Sequence, residues 1–415
     1  MLRWHASVTY SIVVGGGDGS GKREAAGEGD GRQVGAGGGR REAAAWAKGA
    51  WAAAEGRWRC GQQPPPFPVN RNSLCASITA ILKRVMNMKA TAPTGVEANA
   101  QGGWLSRLGV AATALAAVAL VGMCVVPLVP IWPCMLFEHF RVQYAAGGLV
   151  VVGCTAAFRM RGYFDAAALA ALVHLIWIAP DLGGSPRPIP SDGVPIRVLA
   201  LNVHTESSSF EEVRRLIAEV RPDVIGLVEV DQRWLDALAP AVAGYAGRLD
   251  KPRDDNFGVA LYARQPLTGS IEELASPLPS VVASVTVGDA RLSLLLIHPP
   301  PPINDAALAA QVEELGAVAD RARRMPGPIV ILGDFNATPW SRPFRRVLAR
   351  SGLCDSRTGF GIEASFPAAS AIVRIPIDHV LVSCSIGVRD RHIERDVGSD
   401  HLPVLIDLVV PRLRS

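Results

Sequence analysis

PIVILGDFNATPW, residues 328–340, decides how the rest of the chain is read. Its apolar run PIVIL has the length and β-branched content of a buried strand, and it stops at Gly333. Asp334 and Asn336 follow at i and i+2, a spacing that points both side chains to one side of an extended backbone. A carboxylate so placed can take a proton from water while the amide holds an oxygen of the reacting group. The same residue types also make ordinary turns in which they satisfy neighbouring backbone groups. Alone, the stretch leaves both readings open.

Outward from it, apolar runs bounded by a polar group recur through the second half of the chain. VLALN ends at Asn202, VIGLVEV carries Glu229, LSLLLIH ends at His298, PIDHVLVS contains Asp378, and GSDHLPV places Asp400 and His401 before a final run. Strands are expected at 196–203, 223–230, 257–263, 280–287, 291–298, 328–333, 377–383 and 402–409. Between them, apolar residues recur at helical spacing: Val213, Leu216, Ile217 and Val220 over 211–220, and Leu308, Val312, Leu315 and Val318 over 306–324. The alternation predicts one α/β domain over 195–412, long enough for a sizeable core. Residues 195–415 hold 24 Lys or Arg, Lys251 being the one Lys, against 27 Asp or Glu, so the +4 of the whole chain comes from the region before it. A domain that grips long nucleic acid regardless of sequence normally carries a basic excess. This one leans away from duplex DNA.

The 49% apolar content is unevenly spread, and 108–137 contains no charged side chain. That exceeds the ~20 residues needed to cross hydrocarbon. A transmembrane region is expected over 104–180, with helices at about 108–131, 142–158 and 164–179. The last two runs are near the short limit, and a buried helical hairpin is the alternative. Lys83, Arg84, Lys89 and Arg107 precede the first run, Arg159 and Arg161 follow the second, and Arg141 stands alone between the first and second. Basic residues favour cytoplasmic flanks. The expected topology is therefore N-terminus inside, with everything past residue 180 on the outer, periplasmic or extracellular side. The Pro-rich segment 181–194 reads as a short semi-rigid stalk.

Residues 1–88, rich in Gly, Ala and Arg, show no sustained period and read as low complexity and disordered. Met86 and Met88 stand where start residues would precede the first apolar run, so 1–85 reads equally as an over-extended gene model. YSIVV followed by GGGDGSGK imitates a phosphate-cradling loop through Gly16, Gly21 and Lys22, but Arg23 stands where a Ser or Thr hydroxyl is needed. Nucleotide binding is not expected there. Cys124, Cys134 and Cys154 lie in or beside the apolar runs as small apolar residues. An outer location would let Cys354 and Cys384 pair, yet two unpaired buried thiols are the expectation.

Asp400 and His401 are neighbours, so on an extended chain they face opposite ways and take separate tasks. A cation ligand and a donor to a phosphoryl oxygen would fit; a structural His at a strand entrance is the plainer alternative. Asp378 is the candidate to orient His401, because carboxylates hold imidazoles in one tautomer. His379 faces elsewhere and reads as structural. Glu229 suits a hard cation such as Mg²⁺, which takes oxygen ligands and only one or two protein carboxylates. Like Asn202, it would equally end a strand facing water. The prolines at 299–302 stiffen the chain after His298 and fix where its imidazole points. No CxxC or HExxH pattern offers a softer metal site.

In order and spacing, Asn202, Glu229, His298, Asp334 with Asn336, Asp378, and Asp400 with His401 resemble the endonuclease/exonuclease/phosphatase family over residues 195–410. The three apolar runs, the HPPPP segment and GSDHLPV are similar to its bacterial membrane-anchored members, whose substrates are poorly defined. The resemblance implies a four-layer α/β/β/α sandwich of the DNase I-like kind, two sheets face to face with helices outside. It implies Mg²⁺ or Mn²⁺ held chiefly by Glu229, with Asp400 and Asn202 near it. Asp334 would activate the attacking water and Asn336 would orient it. His401, paired with Asp378, would stabilise the developing phosphorane, with His298 in the same catalytic set. Ser365 and Phe366 stand where many relatives carry Thr-Trp, and 364–375 is largely apolar, so specificity is not carried over at that loop. The activity so implied is a membrane-anchored hydrolysis of phosphodiester or phosphomonoester bonds by in-line attack of water. Nucleic acid, a phospholipid headgroup or a small phosphodiester would be the substrate, with the inner-membrane bilayer as the other partner and no protein partner evident. The competing reading is a non-enzymatic membrane-bound ligand- or partner-binding module. Such a module would not need water-activating and imidazole-orienting groups together.

Overall fold

The computed structural model describes residues 103–129 and 131–412. The region 1–88, its phosphate-loop imitation and the flanking Lys83, Arg84 and Lys89 lie outside the described residues.

Among the described residues three helices come first: α1, Gly103–Val125; α2, Arg141–Ala157; and α3, Arg161–Leu182. A short helical turn, Trp132–Leu136, lies between α1 and α2. The stretches Ser106–Leu128, Trp132–Ala157 and Arg161–Leu182 are each long and apolar enough to cross a membrane. Small residues make the packing surface: Ala117, Ala145, Ala166, Ala167, Ala170 and Ala171 are buried, whereas Leu115, Val118, Leu149, Val150, Leu172 and Ile176 face outward. Small interfacial side chains let helix backbones approach closely where lipid, rather than water, surrounds them. All three helices pack as one group in place of an isolated two-helix hairpin. The Pro-rich segment after α3 does not stand off as a stalk. It lies along the domain, close enough that a Cβ on Gly387 would come within 2.8 Å of Ile189 and Pro190.

Twelve strands follow: β1 Val194–Asn202, β2 Val224–Val228, β3 Gly247–Lys251, β4 Val259–Ala263, β5 Leu267–Glu273, β6 Pro279–Val287, β7 Ala290–Ile297, β8 Ile329–Asp334, β9 Cys354–Asp355, β10 Asp378–Val382, β11 Gly387–Ile393 and β12 Val404–Val410. Helices α4 Phe210–Val220, α5 Gln232–Val242, α6 Asp305–Arg323 and α7 Arg342–Ser351 are interleaved with them. The strands form two six-stranded sheets, ordered β11-β12-β1-β2-β4-β3 and β5-β6-β7-β8-β10-β9.

Period-two alternation builds four layers from this order. Val198 and Ala200 of β1 point into a shared core with Leu294 and Leu296 of β7 and Leu332 of β8, sealing the two sheets face to face. Leu199 and Leu201, one residue out of phase, pack beneath Val213, Leu216 and Ile217 of α4 and Trp234 of α5. On the other outer face Leu295, Ile297 and Ile331 meet Leu315 and Val318 of α6 and Phe344 and Val347 of α7. The result is the expected α/β/β/α sandwich.

Each sheet has one parallel pair near its centre, β1 with β2 and β7 with β8. Parallel neighbours end at the same edge, so Asn202, Glu229, His298 and Asp334 are delivered together. β10 runs antiparallel to β8 and pairs Asp378 directly with Asp334.

One expectation is overturned. Cys354 and Cys384 form a disulfide, with Cα atoms 5.3 Å apart. β9 pairs with β10 so that Cys354 lies opposite Val382, and the chain leaving β10 returns Cys384 to it. That register depends on a two-residue edge strand with no apolar run to mark it.

Candidate active site

Gly333 sets the exit of β8. Its φ is +135°, and a Cβ there would come within 2.0 Å of the Ile297 carbonyl oxygen, so only glycine lets the two parallel strands stay paired up to the site. Beyond it Asp334 divides its two oxygens. Oδ1 accepts the Asn336 backbone N–H at 2.8 Å, the local turn that the sequence allows. Oδ2 faces the centre, 3.2 Å from Asn202 Nδ2 and 3.7 Å from both His401 Nε2 and His298 Nε2. One oxygen thus makes the local turn and the other faces the group. The Asn336 amide Nδ2 donates to the Pro299 carbonyl at 3.1 Å, tying this loop to the prolines after His298.

His401 Nδ1 donates to Asp378 Oδ2 at 2.8 Å, and Nε2 is left directed at Asp334. Burial works against charging this imidazole, but the Asp378 and Asp334 carboxylates outweigh it and push its pKa up to about 10. Burial, with Asp378 adding repulsion, raises the Asp334 carboxyl to about 8. His298 is held below the ordinary histidine range by burial. The Phe366 ring lies over His401, centroids 4.6 Å apart, and Ser399 Oγ receives the His401 N–H at 3.1 Å while donating to the Asn202 carbonyl at 2.7 Å.

Glu229 and Asp400 form the outer half of the group. Glu229 Oε1 accepts from Asn202 Nδ2 at 2.7 Å and lies 3.9 Å from His298 Nε2. His204 Nδ1 lies between the two acids, 3.9 Å from Glu229 Oε2 and 3.2 Å from Asp400 Oδ1. Asp400 Oδ1 is buried yet has no aligned hydrogen-bond donor. Burial would raise the Asp400 carboxyl, but the His204 and His401 imidazoles hold it below the ordinary carboxylate range. The two carboxylates, on either side of His204, offer oxygen ligands of the kind a hard divalent cation takes. Asp334, Asp378 and His401 also offer atoms within 4.8 Å of one another. There, however, the Asp378 oxygen nearest the group and one nitrogen of His401 are already spent on each other. Asn202, expected beside the metal as a ligand, has its Oδ1 taken by the His204 N–H at 3.0 Å and turns its Nδ2 toward the acids. In this arrangement it holds the carboxylates in place and does not present an oxygen.

Every residue singled out from the sequence is brought to this edge, and His379 is not. Its Nε2 meets the Ala337 carbonyl oxygen at 2.7 Å, and its ring sits against Phe335 and Phe344 in the core. His204, Ser399 and Phe366 were missed. His204 follows Asn202 by two residues, the same i, i+2 spacing that marks Asp334 and Asn336. Glu229, Asn336 and His204 share a further mark, φ values of +60°, +50° and +59°. Left-handed backbone at non-glycine residues is costly and gathers at functional sites.

Residues 199–401 match the model of the Endonuclease/Exonuclease/phosphatase family. Family members are hydrolases that act on phosphate esters and generally depend on a divalent metal. No curated protein matches the chain. Similar solved structures include a humanized D. rerio TDP2 carrying 14 mutations, at 15% identity over 52% of this chain and 98% of that one, TM-score 0.43. Another is an endonuclease/exonuclease/phosphatase from Beutenbergia cavernae, at 22% identity over 52% and 72%, TM-score 0.41. A third, from Bacteroides vulgatus, has 16% identity over 52% and 100%, TM-score 0.44.

Proposed function

We propose that the chain is a membrane-anchored, divalent-metal-dependent phosphoesterase that cleaves phosphodiester or phosphomonoester bonds by in-line attack of water. The observation that carries this reading is the line Asp378, His401, Asp334: a buried acid fixes one imidazole nitrogen and leaves the other facing a second acid across 3.7 Å. Asp334, in its carboxylate form, takes the proton of the attacking water through the oxygen that faces the centre of the site. Asn336 orients that water. His401 carries its charge with Nε2–H directed into the site, where it stabilises negative charge developing on a phosphoryl oxygen. Asp378 holds the imidazolium in that orientation, and His298 lines the same pocket. Glu229 and Asp400 would hold Mg²⁺ or Mn²⁺, with Asn202 bracing Glu229. When bound, the ion supplies Lewis-acid stabilisation of phosphoryl charge.

Location follows the same reasoning. The basic flanks favour an N-terminus inside, and three crossings then put the domain on the outer, periplasmic face of a bacterial inner membrane. A disulfide between Cys354 and Cys384 suits an oxidising compartment.

Purified full-length protein in detergent, assayed on bis(para-nitrophenyl) phosphate with Mg²⁺ or Mn²⁺, should lose activity on chelation and regain it with either metal. Asp334→Ala and His401→Ala should each lower kcat by about 10²–10⁴-fold, with thermal unfolding still cooperative. Retained activity in both variants refutes the mechanism, and a parent protein with no metal-dependent activity favours the binding-module reading.

A further inference from the structure

The loops that hold the site also hold the domain to the helices. The 298–304 loop begins at His298, and its Pro302 carbonyl accepts the Trp132 indole N–H. The loop after β8 carries Asp334 and Asn336, and four residues after Asp334 the Thr338 hydroxyl meets His139 Nδ1 at 3.1 Å. The 364–375 loop covers His401 with Phe366, donates from Ala368 N to the Asp400 carbonyl at 2.7 Å, and then offers its Ile372 and Arg374 carbonyls to Gln143 Nε2 at 3.2 and 3.0 Å. Trp132, His139 and Gln143 all lie in the connection from α1 to α2 or in the first turn of α2. Asp181, which pairs with the buried Arg357 of the domain at 3.0 Å, lies in the last turn of α3. These contacts are thus all at one end of the helix group, and the rim of the site is the part of the domain nearest it.

That rim is also where the domain breaks the rule of burying large apolar side chains. Among the described residues from 195 to 412, the exposed large apolar side chains are Ile303, Ile372 and Val373, at 45%, 82% and 45% exposure. All three are on the two rim loops that touch the helix end. The α1–α2 connection, which the 298–304 loop touches, exposes further apolar residues, Leu128, Val129, Ile131 and Phe137. Contiguous exposed apolar surface marks a place where something other than water is met. Here it adjoins helices of membrane-crossing length, at the end where Trp132 and Trp177 stand, as aromatic side chains do at a bilayer boundary.

We infer that Ile303, Ile372 and Val373 enter the bilayer boundary, so that the site opens at the membrane surface and its substrate is a phosphate ester carried on a membrane lipid. This rests on the phosphoesterase reading above and commits it to one class of substrate. A lipid phosphate then reaches the space between His401, Asp334 and Glu229 by lateral motion, without leaving the bilayer.

The test uses the full chain reconstituted in vesicles of equal parts phosphatidylethanolamine, phosphatidylglycerol and phosphatidic acid, with Mg²⁺ or Mn²⁺. Water-soluble phosphorus released from lipid is measured beside hydrolysis of bis(para-nitrophenyl) phosphate in the same vesicles. The expected result is release from lipid that falls at least about tenfold in an Ile372→Asp, Val373→Asp double variant, because a charge resists entry into the apolar boundary. Soluble-ester hydrolysis should stay within about twofold, and Ile372→Leu should behave as the parent. Soluble-ester hydrolysis without lipid release overturns the inference and leaves the phosphoesterase standing. Equal loss on both substrates also overturns it, by making the loop a structural support. Hydrolysis of neither overturns both readings together.

Discussion

The helix group and the sandwich bury opposite kinds of side chain. In the helices, Ala117, Ala145, Ala167 and Ala171 make the contacts while Leu115, Leu149, Val150 and Ile176 face out. In the sandwich, Leu294, Leu296, Leu332 and their neighbours are inside, and large apolar residues reach the surface only at the two rim loops. The two patterns suit two solvents. With lipid around the helices nothing would be gained by hiding leucine, and close packing of small residues would hold them. Where water surrounds the sheets, removal of apolar area from water is the driving force. The rim is where one regime gives way to the other.

The largest test of this contrast is a matched truncation. Leu332→Ala, in the core between the sheets, should cost about 2–5 kcal/mol, whereas Leu149→Ala, facing out from α2, should change stability by less than about 0.5 kcal/mol. Unfolding followed in detergent reads both, and equal costs would break the comparison.

A smaller effect runs the other way, through added volume. A Cβ on Gly148 of α2 would meet the Ala171 Cβ at 2.9 Å and Leu120 Cδ2 at 3.1 Å, while around Gly153 there is open space. Gly148→Leu should therefore loosen α2 from α3, at a cost of about 1–3 kcal/mol. Gly153→Leu should be close to neutral in the same detergent assay. If both are tolerated, small residues are not what packs the helices.

The smallest effect sharpens the water-facing side. Burial, with Arg357 adding to it, lowers the pKa of His379 to about 3. Because the folded value lies below the unfolded one of about 6.5, the unfolded chain binds the proton first. The stabilisation is complete above pH ~6.5 and is lost as pH falls toward 3. His379→Gln, which keeps a donor for the Ala337 carbonyl, should reduce the stability lost between pH 7 and 5.5 by roughly 1 kcal/mol. Denaturant midpoints at the two pH values measure it, and an unchanged difference would mean that this imidazole is not buried neutral.

The strands legible in the sequence and those missed divide by position. All eight expected strands are interior to the sheets, and the four that were not expected, β3, β5, β9 and β11, are the four sheet edges. An interior strand is covered on both faces and reads as an apolar run. An edge strand has neighbours on one side only, so Arg248, Asp250, Ser270 and Arg389 can sit in one without penalty and erase the pattern. α7 was missed for a related cause, since few apolar residues carry its buried stripe. The disulfide went unseen because it hangs on an edge pairing, β9 with β10.

The sequence by itself determined the chemistry available. Apolar runs ending in Asn202, Glu229, His298 and Asp334, together with Asp378, Asp400 and His401, named nearly all the groups that meet, because strand period and strand ends are local properties. The division of labour among them belonged to the tertiary structure. Only the pairing of β10 with β8 sets Asp378 against Asp334, and only the closure of the two sheets brings His401 to both. The side of the site that faces the helices was likewise invisible in one dimension. It is fixed by contacts between residues some 170 to 230 positions apart, and no local spacing encodes which distant surfaces will meet.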